Sequence, residues 1–205
     1  MNEVFTIGHS THTIDRFVEL LLMHAITALC DVRSSPYSKY NPQFNREVLQ
    51  PELKGHGIVY VYLGKELGPR SDDPTCTKNG RVRYDLLAKT DLFQEGLNRV
   101  KEGMTSYCIA LMCAEKDPIL CHRTILVCRH LETEGIKIRH ILEDGSLEEN
   151  GDSLKRLMQL LKLQEQDLFT PPEDMMQRAY DIQGEKIAHV HKDESNSGED
   201  RKRRT

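Results

Sequence analysis

No stretch of this 205-residue chain is long and apolar enough to cross a bilayer. The most apolar one, Phe17 to Cys30, is broken by Glu19, His24 and Thr27 and falls short of the roughly 20 residues a span needs. The chain also lacks an excess of positive charge. A net charge of −4 and a pI near 6.1 argue against coating nucleic acid by bulk electrostatics, although a local basic face remains open. There is no Cys-x2-Cys pair, the usual mark of a closed zinc site. The Gly-x-Gly-x-x-Gly run of a dinucleotide fold is missing after the first strand-like segment. Neither Cys113 nor Cys121 has an arginine six positions on, so the Cys-x5-Arg loop of thiol phosphatases is excluded. No internal repeat is apparent, and no secretory signal is read at the start. Four of the six cysteines sit in or beside apolar runs, so the expectation is a cytoplasmic protein with reduced thiols and no membrane contact.

What is present is an alternation of two periodicities. Val4 to Ile7, Ile26 to Val32, Ile58 to Leu63, Tyr107 to Met112 and Ile138 to Leu142 read as strands. Helical spacing marks the segment after Thr13, a natural N-cap, and the segments Phe44 to Leu53, Tyr84 to Lys101, Thr124 to Glu134 and Ser153 to Leu163. Thr170-Pro171-Pro172-Glu173 has the spacing of a capping box opening a last helix to about Gln183. The expected fold is α/β and Rossmann-like: three layers, a mostly parallel sheet of about five strands, helices on both faces. One domain is expected over residues 1–187, followed by a disordered charged tail, 188–205, with almost nothing to bury.

The segment Cys113 to Arg123 holds two thiols, an acid and a Cys-His-Arg triplet between an apolar strand and a helix. In an open parallel sheet the C-terminal strand ends share one crevice. His9 and Ser10, Asp31 and Arg33, Gly64 and Lys65, and Cys113 and Glu115 are therefore expected to converge there, with Cys121, His122 and Arg123 in the first turn of a helix. A thiol at a helix N-terminus is a candidate nucleophile, and an arginine beside free amides is a candidate anion clamp. For Cys121 the alternative is packing as a small hydrophobe, for Arg123 a salt bridge to Asp31 or Glu115, and for Asp31 and Glu115 pairing with Arg33 or Arg123. His9 is a candidate acid or base, or a hydrogen-bonded structural residue.

Thr6-Ile7-Gly8-His9-Ser10, Asp31-Val32-Arg33-Ser34-Ser35-Pro36, Leu63-Gly64 with Leu67-Gly68, and Leu111-Met112-Cys113-Ala114-Glu115 through Cys121-His122-Arg123 together resemble the domain of unknown function 488 family. The resemblance spans about residues 3 to 185. The family has no established general activity, so the resemblance implies a single α/β domain and weight at these motif positions, without a reaction.

The roles expected from chemistry are therefore as follows. His9, Glu115, Cys121 and His122 are the catalytic candidates, while Ser10, Asp31, Arg33, Lys65, Arg70 and Arg123 are candidates for binding substrate or anion. No resident metal and no cofactor are expected, although loops bringing Cys113, Cys121, His122 and His9 together would make zinc feasible. The segment Asp31 to Tyr84 carries nine Lys or Arg against six Asp or Glu, and six of the twelve aromatic residues. Its basic and aromatic residues interleave, as in surfaces where bases stack and phosphates pair with cations, or they belong to ordinary strand, helix and surface positions. Gly64 to Arg83 reads as a long loop, either a lid bringing Arg70 to a ligand phosphate or a packed excursion held by Leu67 and Pro69. Two functions follow: an enzyme acting on a nucleotide, nucleic acid or other phosphorylated substrate, or a non-catalytic nucleic-acid or nucleotide-binding module.

Overall fold

The structure, a computed structural model, describes residues 2–163 and 171–191. The chain runs through β1 (Glu3–Gly8), α1 (Ile14–Met23), β2 (Ala28–Asp31), α2 (Arg46–Gly55), β3 (Val59–Tyr62) and α3 (Gly64–Leu67). A small hairpin follows, β4 (Thr77–Lys78) and β5 (Arg81–Val82), then α4 (Tyr84–Leu87), α5 (Asp91–Gly103) and β6 (Ile109–Cys113). The last part holds α6 (Arg129–Thr133), β7 (Lys137–Ile141), β8 (Leu147–Glu149), α7 (Asn150–Leu160) and α8 (Pro172–Ile187).

Six strands form one sheet in the order β3-β2-β6-β1-β7-β8. All pairings are parallel except β7 with β8. All five strands expected from the sequence are present, and the fold is the three-layer, mostly parallel α/β arrangement anticipated. Successive residues of the central strands serve opposite cores. Leu29, Ala110 and Met112 pack with Phe17, Leu20 and Leu21 of α1 and with Leu49 and Leu53 of α2. Ala28, Cys30, Ile109 and Leu111 pack with Phe93, Leu97 and Val100 of α5, and with Leu126, Leu157 and Tyr180 beyond. Burial on both faces is why these strands read as continuous apolar runs.

Several local expectations are corrected. The sixth strand, β8, was missed because Leu147-Glu148-Glu149 is too short and polar for a strand signal; it pairs with β7 after the Asp144–Gly145 turn, where Leu142 N donates to Ser146 O. The helix expected over Tyr84 to Lys101 is two helices, because the Thr90 hydroxyl accepts from Phe93 N and starts α5 afresh. The span from Gly64 to Arg83 is not an open loop. It contains α3, a 3-10 turn at Pro74–Cys76 and the β4–β5 hairpin, and it buries Leu67, Cys76 and Val82. Cys76, expected in an exposed polar loop, is thus a core residue. The ordered chain also continues past residue 187: Val82 N donates to His189 O and His191 N to Gly80 O. The Thr170 cap and residues 192–205 of the expected tail lie outside the described residues.

Candidate functional site

β1 and β6 end side by side, with Gly8 opposite Cys113, and β2 ends at Asp31 opposite Met112. This places His9, Arg33 and Cys113 on one edge of the sheet. Gly8 is needed there, because a Cβ would collide with the Glu115 carbonyl. That close approach lets the 113–116 turn fold back over the strand ends.

Around the β6 end, two thiols, a carboxylate and an imidazole converge. Cys113 Sγ and Cys121 Sγ each donate to Glu115 Oε2 at 3.0 Å. His122 Nδ1 lies 3.5 Å from Cys113 Sγ and 3.9 Å from Cys121 Sγ. His122 Nε2 is 2.9 Å from the Val32 carbonyl oxygen, which only accepts, so Nε2 carries the proton and Nδ1 presents a lone pair to the sulfurs. Burial pushes the Cys121 thiol well above its ordinary value, and neighbouring Cys113 adds to this. Burial also works against the charge on Glu115, but the hydrogen bonds from the two thiols outweigh it and hold the carboxyl below its usual range.

A second network lies beside the first. Arg33 grips Asp31 bidentately, with Nε and NH2 donating to the carboxylate at 2.9 and 2.6 Å, and also donates to Phe44 O. Tyr60 donates to the same carboxylate at 2.7 Å. The bonds to Asp31 overcome burial and raise the Arg33 pKa above its ordinary value. His9 stacks on Phe44 with ring centroids 4.4 Å apart. Its Nδ1 donates to Ser10 O at 3.0 Å and its Nε2 accepts from Arg33 NH1 at 3.2 Å. Burial, then Arg33, push the His9 pKa down to about 4. His9 is neutral with both nitrogens engaged, a support for Arg33 rather than a free base.

The Cys-His-Arg triplet differs from expectation. A 3-10 turn, Pro118–Leu120, precedes it and a π-helical segment, Arg123–Cys128, follows. Cys121 N donates to Pro118 O, Arg123 N contacts Cys121 Sγ, and Thr124 N donates to Cys121 O, so these amides turn inward and do not form an anion nest. Arg123 is fully buried, and it forms no salt bridge with the Asp31 or Glu115 carboxylate. Its guanidinium donates to the Glu115 and Lys116 carbonyls at 2.6 and 3.2 Å and to Thr6 Oγ1 at 3.2 Å. It braces the turn that carries Glu115. Thr6 also meets His140 Nδ1 at 2.8 Å. Sequence reasoning missed Thr6, Tyr60 and His140 in these supporting roles, since only strand register brings them here.

A pocket of about 220 Å3 opens on this edge, lined by His9, Arg33, Ser34, Tyr37, Arg70, Cys113, Glu115 and His122 among others. Cys113, expected from the sequence at this crevice, is on its wall. Cys121, the nucleophile candidate, is not in its lining, and both thiols are buried. Ser10 is not on the wall and contributes only its carbonyl to His9. Lys65 lines a neighbouring depression of about 560 Å3 that shares Ser34 and Arg70. Arg70 is exposed at the rim, its backbone N–H on Ser34 Oγ, and its side chain makes no hydrogen bond or ion pair among the described residues.

No curated protein and no solved structure matches the chain. The family model described as "Domain of unknown function DUF488" matches residues 13–129, a shorter span than the sequence resemblance. It includes the Asp31–Arg33, Leu63–Gly68 and Cys113–Arg123 motifs and leaves Thr6–Ser10 outside. With more than half of its length matched, the chain belongs to the DUF488 family.

Proposed function

We propose that this protein is an enzyme acting on a small phosphorylated molecule bound in the pocket at the C-terminal edge of the sheet. The observation carrying this reading is that one pocket joins Arg70, a cation without a side-chain partner among the described residues, to the Cys113–Glu115–His122 cluster. Arg70 and the remaining NH1 hydrogen of Arg33 take the phosphate, and the cluster beneath does the chemistry. His9 positions Arg33. The pocket is below the roughly 300–1,000 Å3 of sites for drug-sized ligands, which favours a nucleotide fragment or smaller phosphate ester over a longer strand. A cytoplasmic location is part of the proposal, supported by six free cysteines. Among the described residues, no helix is long and apolar enough to cross a membrane.

A second reading, a non-catalytic single-strand nucleic-acid module, is favoured by Tyr37 and Tyr40, 55% and 87% exposed beside Lys39, as platforms on which bases stack. Calorimetry with inorganic phosphate, nucleoside monophosphates and short oligonucleotides, together with a turnover screen of phosphorylated compounds, separates the two. The enzyme reading expects small phosphates to bind and Arg70→Ala to weaken them about tenfold, a loss of about 1.4 kcal/mol. It also expects turnover that Cys113→Ser abolishes. Oligonucleotide binding that Tyr40→Ala removes, with no turnover of any compound, favours the module. Failure of every phosphate compound to bind overturns both.

A further inference from the structure

We propose that Cys113, Glu115, Cys121 and His122 form a binding site for one thiophilic divalent metal ion of the zinc type. The four ligand atoms lie within 4.8 Å of one another, and they come from the end of β6 and the turn before the π-helical segment. Two sulfurs, one imidazole nitrogen and one carboxylate oxygen are the donors that zinc accepts, whereas magnesium and calcium take oxygen. The spacing is Cys-x-Glu-x5-Cys-His, without the Cys-x2-Cys pair that marks zinc in a sequence. His9, the fourth donor considered from the sequence, is replaced by Glu115.

The sulfur-to-nitrogen separations are those of a tetrahedral ion. Bonds of about 2.3 Å to sulfur and about 2.0 Å to nitrogen set a sulfur-to-nitrogen edge of about 3.5 Å. The observed edges are 3.5 and 3.9 Å. The two sulfur-to-oxygen separations, 3.0 Å each, are those of S–H···O hydrogen bonds, and an ion replacing the thiol protons lengthens them by about half an ångström toward the same edge. The surroundings are arranged as they are around ligating histidines: the Nε2–H of His122 is held by the Val32 carbonyl, which fixes the tautomer and aims Nδ1 at the sulfurs. Arg123 pins the carbonyls of Glu115 itself and of Lys116. Because Cys113, Glu115 and His122 also line the pocket, the ion faces the space where a substrate binds. The inference stands apart from the phosphate reading, since uptake of the ion is measured with no phosphate present.

The test is titration of the full-length, reduced, chelator-treated protein with Co2+. The expected result is one equivalent bound, a thiolate-to-cobalt charge-transfer band, and stoichiometric displacement by Zn2+. Cys108→Ser keeps the band, and Cys113→Ser, with an unchanged circular dichroism spectrum, weakens binding by about a hundredfold or more. Absence of saturable uptake, or an affinity and band intensity unchanged in folded Cys113→Ser, overturns the proposal. Should the cysteine variants fail to fold, X-ray absorption of the zinc-loaded wild type still decides: two sulfur neighbours at about 2.3 Å support the site, and a shell of nitrogen and oxygen alone refutes it.

Discussion

At the scale of single residues, Asp31 and Arg33 at the end of β2 are held in one buried hydrogen-bonded network. Asp31 is 0% exposed and Arg33 6%, and the carboxylate accepts from the Arg33 backbone, the Arg33 guanidinium and Tyr60. Removing one member of a buried pair strands the other charge, which costs about 3–5 kcal/mol. Asp31→Ala is expected to lose that much in urea unfolding, and Asp31→Leu/Arg33→Leu to recover part of it. A single-variant loss under about 1 kcal/mol contradicts this account. The sequence offered Asp31 and Arg33 as ligand-binding candidates, with pairing of Asp31 to Arg33 or Arg123 as the alternative, and the structure pairs it with Arg33. Their side-chain directions are set by Phe44 and Tyr60, which arrive from other segments. The same applies to the thiols. A sequence places Cys113 and Cys121 near a strand end, whereas the fold decides which one faces the pocket.

At the scale of elements, the errors have identifiable local causes. Asn79-Gly80, flanked by short paired strands, is a strong hairpin signal, and both residues adopt the left-handed conformation, φ +52° and +72°. It was hidden by the surrounding charge and proline. The hairpin holds the chain beyond α8, since His191 N donates to Gly80 O and Val82 N to His189 O. A β-branched side chain is strained at positive φ by about 1–2 kcal/mol. Gly80→Val is therefore expected to speed amide exchange at Val82 and His191 while leaving β1 and β6 protected. Unchanged exchange at Val82 and His191 would remove the hairpin from this role. The π-helical segment had no sequence signature: Ile125, Leu126, Cys128 and Leu131 fit an ordinary helix, and its wider turn is seen only in the backbone bonds.

At the scale of the whole molecule, His140 ties three parts of the fold together. It sits on β7, reaches Thr6 of β1 through Nδ1, and donates from Nε2 to Asn150 Oδ1 of α7 at 3.0 Å. Burial, followed by Arg123, pushes its pKa from 6.5 down to about 4. Between those values the unfolded chain binds a proton that the folded protein excludes, so this stability is full above pH 6.5 and is lost as pH falls toward 4, by about 3 kcal/mol at most. Urea unfolding across that range is expected to show a flatter pH dependence in His140→Gln, alongside lower stability at pH 7. Parallel curves for the two proteins would exclude His140 as a source of the slope. The sequence by itself determined the layer architecture, the five parallel strands and the edge on which polar residues gather, because periodicity and strand burial are written in neighbouring residues. Only the tertiary structure decided the strand order, the inward turn of Arg123, the neutral His9 behind Arg33, and the meeting of Cys113, Glu115, Cys121 and His122. Those depend on register between strands distant in sequence and on backbone turns whose directions no local pattern encodes.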